Sequence, residues 1–214
     1  MLRNYLILLS FLFISLGAHA QAPASAPAPA VAPDALARSV TDDVLAVIRA
    51  DKDIQAGNQK KVLELVEAKI LPHFNFAGMT QLAMGRNWRQ ATPDQQKRLT
   101  EEFRALLVRT YTTAFVQYRN QTVEYKPLRM AASETDVVVQ SFIKQNSGPP
   151  VAVDYNMEKT NTGWKVYNMK IEGISLVENY RGSFNTEIQR NGIDGLIKSL
   201  ADKNRSNAQQ VTQK

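Results

Sequence analysis

Residues 92–119, TPDQQKRLTEEFRALLVRTYTTAFVQYR, constrain the fold more than any other stretch of this chain. Thr92 is a good N-cap, Pro93 suits a first helical position, and Gln95 completes a Thr-x-x-Gln capping box. Leu99, Phe103, Leu106, Leu107, Tyr111, Ala114, Phe115 and Tyr118 recur at spacings of three and four and so share one face. At 1.5 Å per residue such a helix spans roughly 40 Å. Its apolar stripe is wide and aromatic and needs a large partner surface. The pattern predicts either a core helix laid on a sheet or one wall of an apolar cavity, and periodicity treats the two alike.

The rest of the chain supplies that partner by a change of period. Before the long helix, apolar residues recur as in helices: Leu36, Val40, Val44, Val47 and Ile48 after Asp34, then Val62, Leu65, Val66 and Ile70 after a second cap at Asn58. A short apolar helix is expected over about 75–84, stopped by Gly85, with Trp88 in the following turn. From Thr122 the period becomes 2. Strands are expected over 122–128 and 135–144, then from Val151 and from Trp164, with turns at 147–150 and 161–163. Ser175 can cap a helix that ends at Asn191-Gly192, a short helix follows over 193–200, and the tail from Lys203 is polar and expected to fray. The order helices, sheet, helices predicts an α+β domain with helices on one face of a curved, mainly antiparallel four-stranded sheet and an apolar cavity between them.

The first residues stand apart. Arg3, the apolar run from Tyr5 to Gly17 and Ala18-His19-Ala20 have the form of a secretory signal cut after Ala20. A Pro/Ala-rich leader over 21–33 is expected to be an extended tether, the domain proper to span 34–205, and a polar tail to occupy 206–214. No later segment is apolar enough to cross a bilayer, so an exported, soluble protein is expected. There are no cysteines, so an exported domain must hold together by its core alone, and thiol chemistry is excluded. Without Arg3 the formal charge falls from +6 to +5 and is scattered, which does not form a nucleic-acid footprint.

Catalytic patterns are missing. Beyond the signal the chain keeps one histidine, His73. The nearest approach to a nucleophile elbow, Glu172-Gly173-Ile174-Ser175-Leu176, lacks its last glycine. No phosphate-cradling loop or metal-ligand spacing occurs. Asp42-Asp43 and Glu101-Glu102 are adjacent pairs whose members point apart on a helix. What remains is an excess of large apolar side chains, including Phe74, Phe76, Met79, Phe142 and Phe184, which suit an adaptable apolar pocket or an ordinary core.

Three stretches carry a family resemblance. Phe74-x-Phe76-x-x-Met79-Thr80-x-Leu82-Ala83-x-Gly85-x-x-Trp88 is the first. Thr92-Pro93-x-Gln95-Gln96 with Glu102-Phe103-x-x-Leu106-Leu107-x-x-Thr110-Tyr111 is the second. Gly163-Trp164-Lys165-Val166-Tyr167 with Glu172-Gly173-Ile174-Ser175-Leu176-Val177-x-x-Tyr180-Arg181-x-x-Phe184 is the third. In this order they resemble the MlaC family, the toluene-tolerance auxiliary component of an ABC transporter. Asn168 departs from it, since many relatives are expected to have Asp there. The resemblance implies a cystatin/NTF2-like fold and a periplasmic carrier of phospholipid between outer and inner membranes, maintaining outer-membrane lipid asymmetry. It further implies an MlaA–porin complex and an MlaD-containing ABC complex as partners, no cofactor beyond the bound lipid, and no enzymatic activity; the carrier is expected to be monomeric.

Such a carrier needs a dry slot for acyl tails with the headgroup near water. The slot is expected between the long helix and the inner face of the meander. Phe103, Leu107, Tyr111, Val153, Tyr155, Trp164, Val166, Met169 and Tyr180 are its candidate walls, with plain core packing as the competing role for each. Arg86, Arg89 and Arg181 are candidates for the mouth or a partner surface. The competing functions are a periplasmic adaptor domain without a ligand and a hydrolase acting through paired carboxylates.

Overall fold

The computed structural model describes residues 31–116, 121–145 and 147–212. The expected signal, most of the leader, and Tyr118 and Arg119 of the long helix lie outside these residues. The described residues form six α-helices and a five-stranded antiparallel sheet: α1 (Pro33–Ala50), α2 (Lys52–Gln55), α3 (Gln59–Lys69), α4 (Phe76–Met84), α5 (Pro93–Val116), β1 (Thr122–Tyr125), β2 (Asp136–Lys144), β3 (Val151–Thr160), β4 (Gly163–Ile171), β5 (Ile174–Ser175) and α6 (Arg181–Thr212).

The helix starts follow local chemistry. Thr92 Oγ1 accepts from Gln95 N at 3.2 Å while Gln95 Oε1 accepts from Thr92 N at 3.0 Å, the expected reciprocal box. Asn58 caps α3 and Asn75 caps α4 through their side-chain oxygens. The first helix differs from expectation. Pro33 takes the first helical position, so Ala32 becomes the cap residue and Asp34 falls into the first turn, where a carboxylate suits the helix dipole. Gly85 ends α4 at φ 54°, a backbone state that side chains resist.

The sheet is a meander in sequence order, β1-β2-β3-β4-β5. The four expected strands are present, and β5 is an addition the alternation pattern does not foretell. It is two residues long and hangs on a turn in which Glu172 and Gly173 both take positive φ, 51° and 78°. Between β3 and β4 the register slips, with Asn156 opposite Asn168 but Met157 opposite Val166; this bulge bends the sheet. Part of the outer edge of β4 is covered by the chain entering α4, where Phe74 bridges Val166 and Asn75 N donates to Val166 O at 2.8 Å.

The long helix α5 has α3, α4 and α6 among its described neighbours, and α1 and α4 are among the helical segments that contact the sheet. The expected break at Gly192 is present inside α6, where the backbone leaves helical geometry at φ 72°. One expectation changes: the polar tail is helical through Thr212. Asn204 explains this: it is 5% exposed, its amide donates to Glu102 O at 2.9 Å and Glu102 Oε2 at 2.7 Å, and Arg109 donates to its carbonyl. These bonds pin the tail to α5.

The apolar interior divides into three parts. One joins α4, α5 and α6 around Leu99, Phe103, Leu106 and Phe184. A second joins the sheet to the start of α1 around Val139, Met157, Trp164 and Val166. A third holds α1, α2 and α3 together around Ile48, Val62 and Val66.

Candidate functional site

The expected wall residues fall on two of these surfaces. Phe103 and Leu107, 0% and 4% exposed, sit inside the helical cluster, and Tyr111 and Tyr180 pack half-buried on its edge. The Phe103 ring meets Tyr180 and Phe184 edge-on, each at 5.1 Å. Trp164 and Val166 are buried in the sheet cluster and Tyr155 packs half-buried against it. Val153 is buried on β3, and half-buried Met169 lies directly opposite Tyr155. The sequence therefore named two apolar surfaces. Phe103 and Leu107 have the environment of core residues, whereas Tyr111, Tyr155, Met169 and Tyr180 have side chains that are partly open.

Between the two surfaces stands Phe74. Among the described residues it is the one side chain that packs against both clusters, and it is half-buried. Its ring stacks on Phe76 at 6.0 Å and 23°, and the Arg104 guanidinium lies over Phe76 at 5.6 Å. The wall list omits Phe74. The Phe74-x-Phe76 spacing displays the two rings, but only the crossing of the chain over β4 gives Phe74 two sides.

Hydroxyls fringe this apolar region. Tyr125 on β1 stacks on Tyr155 at 6.5 Å, bonds Thr41 Oγ1 at 2.6 Å and donates to Ala37 O at 3.0 Å, which ties α1 to the sheet. The Arg38 guanidinium stands 4.7 Å over the Tyr125 ring. Burial pushes the hydroxyls of Tyr125 and Tyr155 above their ordinary titration range. Tyr111 is pushed up to about 12, by burial first and then by the neighbouring Tyr180 hydroxyl. Tyr111, Tyr125 and Tyr155 therefore stay neutral at physiological pH.

The charged candidates resolve differently. Arg181 donates from Nε and Nη2 to Leu82 O at 3.2 and 2.9 Å, closing the C-terminal end of α4, and pairs with Glu178 at 3.7 Å. It is a helix-end clamp. Arg86 and Arg89 are exposed on the turn after α4. His73 is lowered by burial and by Lys165 and has no nucleophile to serve. Lys61 stands between Asp51 at 3.0 Å and Asp53 at 2.7 Å in a shallow depression beside α2, so those charges answer one another. Among the described residues no set of three His, Cys, Asp or Glu side chains could hold a metal ion, and no helix is long and apolar enough to cross a membrane. Asn168, buried on β4, accepts from Ser175 Oγ and Met169 N, both at 2.8 Å, while Ser175 Oγ receives Val177 N and Glu178 N. An amide oxygen thus fulfils the acceptor role for which an aspartate was expected.

Comparison with known proteins gives this geometry a context. A family model, MlaC protein, matches residues 38–202. Toluene tolerance protein ttg2D of Pseudomonas putida is 27% identical over 163 residues, 76% of this chain and 75% of that protein. The intermembrane phospholipid transport system binding protein MlaC of Haemophilus influenzae is 25% identical over 170 residues, 73% of this chain and 79% of that protein. Among solved structures, the phospholipid-binding protein from Ralstonia solanacearum in complex with a phospholipid superposes with a TM-score of 0.75 at 48% identity, covering 82% of this chain and 98% of that one.

Proposed function

The chain belongs to the MlaC family, and we propose that it is a phospholipid-binding transport protein, a carrier that takes up the acyl tails of a diacyl lipid and passes the lipid between membranes. The observation that supports this most is the lipid-bound relative from Ralstonia solanacearum, 48% identical and matched over 98% of its length. The tails lie between the helical and sheet clusters. Tyr111, Tyr155, Met169 and Tyr180 meet them first, and Phe103, Leu107, Val153, Trp164 and Val166 are the buried layer that supports those side chains from behind. Moving a methylene from water into such a surface is worth about 0.8 kcal/mol, so the same contacts that remove a lipid from a bilayer need no catalytic group.

In this reading the protein is exported by its signal and works as a monomer in the periplasm. It receives lipid at one membrane and delivers it at the other, through an MlaA–porin complex at the outer membrane and an MlaD-containing ABC complex at the inner membrane. The neutral tyrosines and the absence from the sequence of any nucleophile–base pairing favour a binding role over a hydrolytic one.

Solvent extraction of the purified protein followed by mass spectrometry tests the proposal. A carrier releases phospholipid in near-equimolar amount. Protein that yields no phospholipid and takes none up from vesicles is an adaptor domain, and time-dependent release of lysolipid or free fatty acid identifies a hydrolase.

A further inference from the structure

A single buried amide oxygen stands behind wall residues of both apolar surfaces. Asn168 is 3% exposed, and its Oδ1 accepts from Met169 N and from Ser175 Oγ, both at 2.8 Å. It follows the extra residue of the β3–β4 bulge, a feature with which strands re-aim their side chains. Through the first bond it fixes the backbone of Met169, the half-buried residue opposite Tyr155 on the sheet. Through the second it orients Ser175 Oγ, which accepts from Val177 N at 3.2 Å and Glu178 N at 2.9 Å and so starts the short 3₁₀ turn Glu178–Tyr180. That turn carries Tyr180, whose N donates to Val177 O at 3.0 Å and whose ring meets Phe103 at 5.1 Å in the helical cluster. Leu176 N joins the two branches by donating to Met169 O at 2.9 Å. A buried donor left unpaired is costly, so the members of such a network hold or fail together.

We propose that Asn168 is a positioning residue of the lipid site: too buried to touch a ligand, it fixes Met169 on the sheet and Tyr180 on the helical cluster relative to each other, so that one lipid meets both. The proposal rests on the carrier reading above and adds to it a residue that acts only through others. Apolar contacts have no direction of their own, so side chains such as Met and Tyr form a defined wall only where their backbones are held from behind. Asn168 holds them with an acceptor. Asn168→Asp preserves both hydrogen bonds, Asn168→Ala abolishes both, and Ser175→Ala cuts the branch to Tyr180 alone.

The experiment compares wild type with Asn168→Ala, Asn168→Asp, Ser175→Ala, Tyr180→Leu and the Ser175→Ala/Tyr180→Leu double variant, each stripped of lipid and then equilibrated with phosphatidylcholine vesicles carrying a pyrene-labelled phosphatidylcholine. Val62→Ala, in the separate cluster of α1, α2 and α3, controls for lost stability alone. Affinity is expressed per folded protein, and thermal midpoints are measured alongside. Positioning predicts about three- to tenfold weaker lipid binding in Asn168→Ala and Ser175→Ala, near-wild-type binding in Asn168→Asp and Val62→Ala, and no further loss from Ser175→Ala once Tyr180 is replaced by leucine. Unchanged binding in Asn168→Ala and Ser175→Ala at a lowered midpoint makes the network a lock of the fold only and overturns the proposal. Losses that multiply in the double variant, a Val62→Ala loss as large as theirs, or Asn168→Asp as weak as Asn168→Ala overturn it as well. If Asn168→Ala does not fold, Ser175→Ala and the double variant decide. Wild type that acquires no labelled lipid overturns the carrier reading itself, an outcome separate from any ordering among the variants.

Discussion

Replacing Asn75 by alanine removes two interactions at once, and the structure gives a size for each. The Asn75 side-chain oxygen accepts from Gly78 N at 3.0 Å and caps α4; its amide donates to Glu158 Oε1 on β3. Loss of an N-cap costs about 1 kcal/mol. A hydrogen bond to a carboxylate is worth roughly 1.5 kcal/mol, but both side chains are half-buried and Glu158 can rehydrate, so the lower part of that range applies. The sum is about 2 kcal/mol, which in a domain of this size lowers the thermal midpoint by roughly 4–8 °C. Asn75→Asp keeps a good cap and loses the donor while setting a second carboxylate against Glu158, so like-charge repulsion adds to its deficit. Gly78→Ala approaches the same clamp from the helix: an added Cβ would stand 3.0 Å from Asn75 Nδ2 and 3.3 Å from Glu158 Oε1. Alanine in a helix interior is otherwise favoured over glycine by about 1 kcal/mol, so a destabilised Gly78→Ala is a direct sign of the clamp. The decisive assay is a denaturation cycle over Asn75→Ala, Glu158→Ala and the double variant. A coupling of about 1 kcal/mol supports the reasoning, and additive losses would refute it.

Two further predictions concern the slot and its tyrosines. Tyr111→Asp places a charge on the half-buried edge of the helical cluster and is expected to lower the lipid-to-protein ratio of purified material while far-UV circular dichroism is unchanged; an unchanged ratio removes Tyr111 from the wall. Because Tyr111 titrates at about 12 in the fold against an ordinary 10.0, the folded state keeps a proton that the unfolded chain loses. Its contribution to stability is therefore complete below pH 10 and is lost as pH rises from 10.0 through about 12. Tyr167, pushed up to about 12 by burial and then by Asp136, adds in the same direction. Denaturant midpoints across this range are expected to fall with pH, and less steeply in Tyr111→Phe; identical slopes would show that Tyr111 does not contribute.

What the sequence discloses depends on how far apart the determining residues lie. The Thr92–Gln95 box, the Asn58 and Asn75 caps and the Gly85 stop are written within three or four residues and are legible as they stand. The meander is legible because alternation and turns are local, and only the two-residue β5 escapes, since it depends on Glu172 accepting a positive φ. The polar tail reads as frayed because nothing near it in sequence needs it; its anchor, Glu102, lies 102 residues from Asn204. The stripe on α5 likewise tells that Leu99, Phe103 and Leu106 are covered, but not that residues of α4 and α6 share their cluster.

The same limit explains why a list of apolar residues divides into two surfaces in the fold. Hydrophobicity selects for burial, and burial is the shared requirement of a core and of a lipid slot. What separates the two roles is incompleteness. Phe103 and Val166 are nearly inaccessible and gain little from a ligand, whereas Tyr111, Tyr155, Met169, Tyr180 and Phe74 keep apolar surface exposed. A protein that buried these side chains on itself would gain about 25 cal/mol for every Å² covered. In the proposed carrier, these half-covered side chains of the two clusters are the surface that an apolar ligand would cover, whereas a purely self-filling core would have no such use for them.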